Sequence, residues 1–332
     1  MTTTSHAARG HAVSSELSSL DTATQWLNSE PLTAAGLRGK VVLIDFCTYT
    51  CINWLRTLPY VRAWAEKYKD QGLVVIGVHT PEFPFEKNFD NVRDAVKEMD
   101  VPYPIVLDNN YAIWNGFNNL YWPALYFIDT EGRIRHQYFG EGEYEQSERV
   151  IQELLTEAGS RDAAGEVISI VGIGPEAAAD WENLNSGENY LGYVRNEGFA
   201  SPGGVSVDEP RPYSVPEHLR LNEWALMGNW TIGPGAVLLN EPNGHIAYRF
   251  HARDVNLVMG PPARGESLRF RVLIDGTIPD AAHGVDVDAE GNGTLNQQRM
   301  YQLIRQPGPI RDRTFEIEFL DANAQAFVFT FG

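Results

Sequence analysis

The run KVVLIDF at 40–46 is apolar apart from its opening lysine and one aspartate, and it has the length of a strand with no polar face. After it, Leu55, Leu58, Val61, Trp64 and Tyr68 recur at helical spacing, and LVVIGVHT at 73–80 repeats the buried-strand pattern. Two short, nearly all-apolar strands around a helix predict a β-α-β unit with a parallel pair. A second amphipathic helix is expected in EKNFDNVRDAVKEMD, followed by a strand at PIVLD and a short helix around 112–117. The segments 123–129 and 134–140, joined by TEG, predict an antiparallel hairpin, and EQSERVIQELLTEAG a closing helix that stops at Gly159. From about 216 no helix of any length is expected. Seven or so short alternating strands, separated by Gly, Pro and Asn turns, predict a jelly-roll-like β-sandwich instead. The expected organisation is a flexible tail at 1–20, an α/β domain at 21–159, a connector at 160–215 where periodicity fades, and an all-β domain at 216–332.

Composition narrows the function classes. At 332 residues the chain has the length for two domains, and 43% apolar against 21% charged residues describes a folded protein. A net charge of −18 with no basic run argues against nucleic acid or an anionic membrane as partner, since both are held through clustered Lys and Arg. No basic segment precedes an apolar run at the N-terminus, and no 18-residue apolar stretch follows. The chain as it stands is therefore expected in the cytoplasm, and outside it if a leader or membrane domain precedes. Two cysteines, Cys47 and Cys51, are too few for a disulfide scaffold or a four-thiolate zinc site.

The stretches GLRGKVVLIDF, TYTCIN, LRTLPYVRAW, GVHTPEFPFEK, YWPALYFID, GYVRNEGFAS, FHARDVNLVMGP and YQLIRQPGPIRDRTFEIEFLD resemble DipZ-type proteins over nearly the whole chain. In that family a thioredoxin-fold domain precedes a sandwich similar to a carbohydrate-binding module. The resemblance implies that Cys51 is the nucleophilic cysteine and Asp45 the buried carboxylate beneath it. It further implies that Pro59 bends the active-site helix, and that Pro123 is a cis-proline leaving the backbone at Trp122 open to a substrate strand. Two positions depart from the pattern. Cys47 stands where the family has tryptophan, and Trp54 where it has the second cysteine of C-x-x-C.

A cysteine at a strand-to-helix turn meets unsatisfied N–H groups and the positive end of the helix dipole, which favour the thiolate. Without a second thiol at position 54, Cys51 is left to form mixed disulfides or to be resolved from Cys47. Cys47 is equally read as a small core residue. Copper(I) held by the two thiolates with His79 is disfavoured by the offset of the first cysteine. Tyr49, Trp54 and Trp122 are expected as an aromatic rim which, with Asn53 and Pro123, contacts substrate. The acidic stretch DVDAEGNGTLNQ at 286–297 begins like a calcium loop but lacks its final glutamate, so a turn is expected there. Trp224, Trp230, Tyr248 and Tyr301 would stack on sugar rings only if exposed.

The expected function is thiol-disulfide exchange with a protein or small-molecule thiol or disulfide, without cofactor or metal, through Cys51, Cys47 and Asp45. Two alternatives stand beside it. One is a redox-inactive scaffold that recognises a polypeptide or glycan; the other is a thiol-dependent enzyme acting on a small electrophile.

Overall fold

The computed structural model describes residues 15–332. Two compact units divide the chain, one ending at Val171 and one spanning Gly172–Gly332. The expected tail falls outside the described residues as far as position 14. From there it is not a tail: a helical turn, α1 (Ser15–Ser18), and a 3₁₀ turn (Ser19–Thr22) bury Leu17 and Leu20 against Val42, Phe46 and Trp114.

The first unit continues through β1 (Trp26–Leu27), β2 (Val41–Cys47), α2 (Ile52–Tyr68), β3 (Leu73–His79), α3 (Phe89–Glu98), β4 (Ile105–Leu107), α4 (Ala112–Gly116), β5 (Ala124–Ile128), β6 (Ile134–Phe139) and α5 (Tyr144–Glu157). Its sheet runs β1-β4-β3-β2-β5-β6, with β2, β3 and β4 parallel and the outer strands antiparallel. This is the thioredoxin arrangement expected from the sequence. β2 lies inside the sheet and every one of its residues is buried. Val42, Ile44 and Phe46 enter the apolar cluster on one face, so the two-residue period turns Asp45 and Cys47 to the other face, where α2 packs.

The helix expected from Glu86 begins later. Pro84–Lys87 forms a 3₁₀ turn, and Asn88 then caps α3 by accepting the N–H groups of Asp90 (2.9 Å) and Asn91 (3.3 Å). Residues after α5, expected as connector, are tied into the first unit by Glu148. This buried carboxylate accepts from Trp64 Nε1, Lys67 Nζ, Tyr68 Oη and the Ile168 N–H at 2.7–3.1 Å. A desolvated carboxylate needs several donors, and the chain supplies one from position 168.

The second unit comprises β7 (Asn189–Tyr190), β8 (Arg211–Tyr213), β9 (Trp224–Ile232), β10 (Val237–Leu239), β11 (Gly244–Phe250), β12 (Asp254–Gly260), β13 (Leu268–Ile274), β14 (Asn292–Leu295), β15 (Arg299–Arg305), β16 (Arg313–Phe319) and β17 (Gln325–Phe331). The strands follow the path β14-β13-β16-β11-β9-β10-β17-β12-β15, with β7 on β17 and β8 on β9. The first half of β9 pairs with β11 and the second with β10. Gly228, at φ +99°, makes the bend between them, and a side chain there would press on the Gly244 backbone at 3.1 Å. The path folds over itself. Rings from its two ends meet, Phe270 with Tyr301 at 6.3 Å and Phe315 with Phe329 at 5.9 Å, which makes a sandwich around one aromatic core.

Strands β7 and β8 come from residues expected as connector; each pairs along an existing strand, which periodicity in so short a segment does not reveal. Trp224, Trp230, Tyr248 and Tyr301 are all fully buried core residues and offer no stacking face. In the calcium-like stretch Asp286 pairs with Arg299 (2.6 Å) and the Gln302 N–H, while Asp288 accepts from the Asn292 N–H, so the carboxylates close a turn. Among the described residues no helix is long and apolar enough to cross a membrane.

Candidate active site

β2 ends at Cys47, and a turn closed by the Cys51 N–H on Thr48 O (3.1 Å) carries the chain into α2. Cys51 is the N-cap of that helix: its carbonyl accepts the first helical bond from Leu55 at 3.0 Å, and its side chain makes no cap bond. No acidic residue occupies the first turn of α2. The thiol therefore faces the positive end of a 17-residue helix with no nearby helical carboxylate opposing it. Cys51 is half-buried, and its Sγ lies 3.9 Å from the carbonyl oxygen of Trp122. The Trp122–Pro123 peptide is cis, as the resemblance implied, and Pro59 lies inside α2, which runs from Ile52 to Tyr68. Trp122 is held by its indole N–H, which donates to Thr80 O (3.1 Å), and by Trp114, whose ring lies 4.3 Å away.

Beneath the turn, Trp54 occupies the helical position one turn after Cys51. It is buried, and its Nε1 donates to Asp45 Oδ2 at 3.0 Å; the Tyr103 hydroxyl donates to the same oxygen at 3.2 Å. Burial pushes the Asp45 carboxyl up to about 6, against these two hydrogen bonds, which pull it down. Its Oδ1 has no partner among the described residues. Cys47 is fully buried, and no disulfide joins it to Cys51. Desolvation holds its thiol well above the ordinary range, and the charges of Asp45, Cys51 and Glu86 add to the effect. Across the parallel ladder Cys47 stands beside His79, a buried imidazole stacked on Tyr49 with ring centres 5.7 Å apart. Burial lowers His79 to about 3, so it is neutral, and neither ring nitrogen has a partner among the described residues.

The expected aromatic rim is absent as a rim. Tyr49 packs inward on His79 and Phe85, and Trp54 packs on Asp45, because both follow the buried face of the turn and helix. Of the three, only Trp122 is partly exposed, and Asn53 is partly exposed beside Cys51. The structure adds two features that hydrophobic periodicity did not single out. Leu120 and Tyr121, 72% and 52% exposed, precede Trp122. Glu86, from the GVHTPEFPFEK stretch, is fully buried under the Cys51 turn, and burial pushes it up to about 7. The sequence marked this residue only as part of a stretch that carries the resemblance.

Comparison with known proteins agrees with this geometry. Residues 17–137 match the AhpC/TSA family, and residues 186–332 match the thioredoxin-like C-terminal domain. The thiol-disulfide oxidoreductase YkuV of Bacillus subtilis is 30% identical over 132 residues, 40% of this chain and 88% of YkuV. The chain belongs to the thioredoxin-like thiol-disulfide oxidoreductases. Within that family it is similar to the protein DipZ of Mycobacterium bovis, 40% identical over 243 residues, 71% of this chain and 34% of DipZ. The chain thus spans about a third of the DipZ length. A thioredoxin-like protein solved in solution in its oxidised form is 32% identical, over 40% of this chain and 88% of that one, with a TM-score of 0.37.

Proposed function

We propose that this family member exchanges thiols and disulfides through Cys51 as a single nucleophile. The observation that carries the reading is Trp54, buried and bonded to Asp45 where a C-x-x-C enzyme keeps its second sulfur, while Cys51 retains its helix start and faces Trp122 O. The Cys51 thiolate attacks a substrate disulfide R–S–S–R′, forming Cys51–S–S–R and releasing R′–S⁻. A second thiolate from solution or from a partner then attacks the mixed disulfide and regenerates Cys51. Asp45, with its raised carboxyl, serves proton exchange near the site. The exposed Leu120 and Tyr121 and the partly exposed Trp122 and Asn53, with the buried Pro123 beneath fixing the backbone, form the surface for an extended thiol or disulfide polypeptide, whose backbone pairs at Trp122.

A second reading makes Cys47 the resolving thiol. Its favour lies in Cys47 being near enough to feel the charge of Cys51; against it stand its full burial and raised thiol. Insulin reduction and thiol counting decide between them. Cys51→Ser removes exchange by at least about a hundredfold. Trp54→Cys introduces a resolver and produces an intramolecular disulfide under mild oxidation, whereas the natural chain keeps two titratable thiols. A Cys47–Cys51 disulfide in the natural chain selects the second reading, and wild-type activity in Cys51→Ser overturns both.

A further inference from the structure

Thr50, immediately before Cys51, is buried, and its hydroxyl donates to Glu86 Oε1 at 2.6 Å. The other carboxyl oxygen accepts the N–H groups of Glu82 (2.6 Å) and Phe83 (2.8 Å). These last two bonds are local and cap the 3₁₀ turn Pro84–Lys87. The Thr50 bond is different. It crosses 36 positions of sequence and exists only because the turn that ends in Cys51 packs on this carboxyl. The same loop anchors the opposite side of the site: Thr80 O accepts the Trp122 indole at 3.1 Å, and Pro81 O accepts the Tyr111 hydroxyl. One short segment, 80–86, therefore holds both the turn that carries Cys51 and the residue whose carbonyl faces its sulfur.

We propose that Glu86 is a positioning residue that, through Thr50, fixes Cys51 against Trp122. The inference rests on Cys51 being the nucleophile. When ionised, the Glu86 carboxyl offers two acceptor oxygens and no donor, and here those oxygens face three donors; an amide would set its NH₂ group against N–H groups. Burying such a group unpaired is costly, and the three bonds offset that cost only while the turn stays docked. The docked turn in turn keeps the sulfur near the carbonyl beside which a substrate disulfide would lie, and small misplacements of a reacting atom cost rate.

The test uses the full chain with Thr50→Val, which removes the hydroxyl and keeps the shape, Thr50→Ser, which restores it, and Thr50→Ala, which only removes atoms. Iodoacetamide labelling followed by mass at Cys51, exchange with oxidised glutathione, and thermal midpoints are measured for each. Thr50→Val and Thr50→Ala are expected to slow exchange about tenfold, seen in kcat with KM within about twofold, while Thr50→Ser stays within about twofold of the natural chain. Folded Thr50→Val or Thr50→Ala reacting at the natural rate, or Thr50→Ser as slow as Thr50→Val, overturns the inference. Cys51→Ser runs alongside. If the natural chain shows no exchange dependent on Cys51, the proposed function fails, and the labelling rates still judge the positioning role by the same pattern.

Discussion

The two units bury polar chemistry in opposite ways. In the first, Asp45, Glu86 and His79 are wholly desolvated within a short reach of the strand end and helix start that carry the cysteines, and each is moved far from its usual protonation. In the second, the centre is aromatic hydrocarbon. Its carboxylates are matched by arginines, whether buried as Asp254 is against Arg253 at 2.7 Å or outside as Asp321 is against Arg269 at 2.8 Å, and its buried ring polar atoms are hydrogen-bonded, as in Trp224 Nε1 on Glu197 O and Trp230 Nε1 on Met227 O. The difference teaches where reactivity comes from. A fold gains stability from apolar packing, but a group gains altered acidity only where charge is kept from water.

The largest expected effect probes the second unit. Trp230 is fully buried, edge-on to Phe319 at 5.9 Å, and Trp230→Ala is expected to destabilise that unit by about 3–5 kcal/mol in denaturant unfolding. Cys51 labelling below the unfolding transition should stay within about twofold of the natural rate. A parallel fall in that rate would break the contrast between a packing unit and a reactive one.

Next in size is a pH dependence confined to the first unit. The Asp45 carboxyl binds its proton up to about pH 6 in the folded chain and, at its ordinary 3.8, loses it earlier when unfolded. Its contribution is therefore fully present below pH 3.8 and is lost as pH rises through 6, roughly 3 kcal/mol in all. Asp45→Asn, whose amide oxygen can still accept from Trp54 and Tyr103, should remove that part of the slope. Equal slopes between pH 4 and 6 in denaturant titrations of the two proteins would contradict the desolvation argument. Glu86 works in the same direction over pH 4.5 to 7 and remains in both.

The smallest effect asks whether Cys47 belongs with the reactive groups or with the core. Cys47→Ala is expected to cost about 1 kcal/mol in stability, as a small loss of buried volume, and to leave exchange at Cys51 within about twofold. A tenfold loss of exchange with unchanged stability would move Cys47 into the chemistry.

Much of this was legible in the chain. The continuous apolar runs at 40–46 and 73–80 read as interior strands, the helical spacing from Leu55 to Tyr68 as the helix that connects them and packs on their face, and the seven or so alternating segments after 216 as a sandwich. The expectation for Cys51 rested on its place at the strand-to-helix turn and on the resemblance, and the structure puts it at the N-cap of α2. The short strands β7 and β8 were not legible, because two or three residues carry no period, and neither was the aromatic burial in the sandwich, because a ring reads the same inside or out.

The sequence by itself determined the longer strands and helices and a cysteine at the helix start, since these follow from periods along the chain, and the resemblance showed that Trp54 stands where a second cysteine was expected. Only the tertiary structure decided what Trp54 does there, that Tyr49 turns inward on His79, and that Glu86 reaches Thr50. Each of those depends on a partner tens of positions away or on an opposite face, and desolvation acts through the whole surrounding volume, which no local pattern encodes.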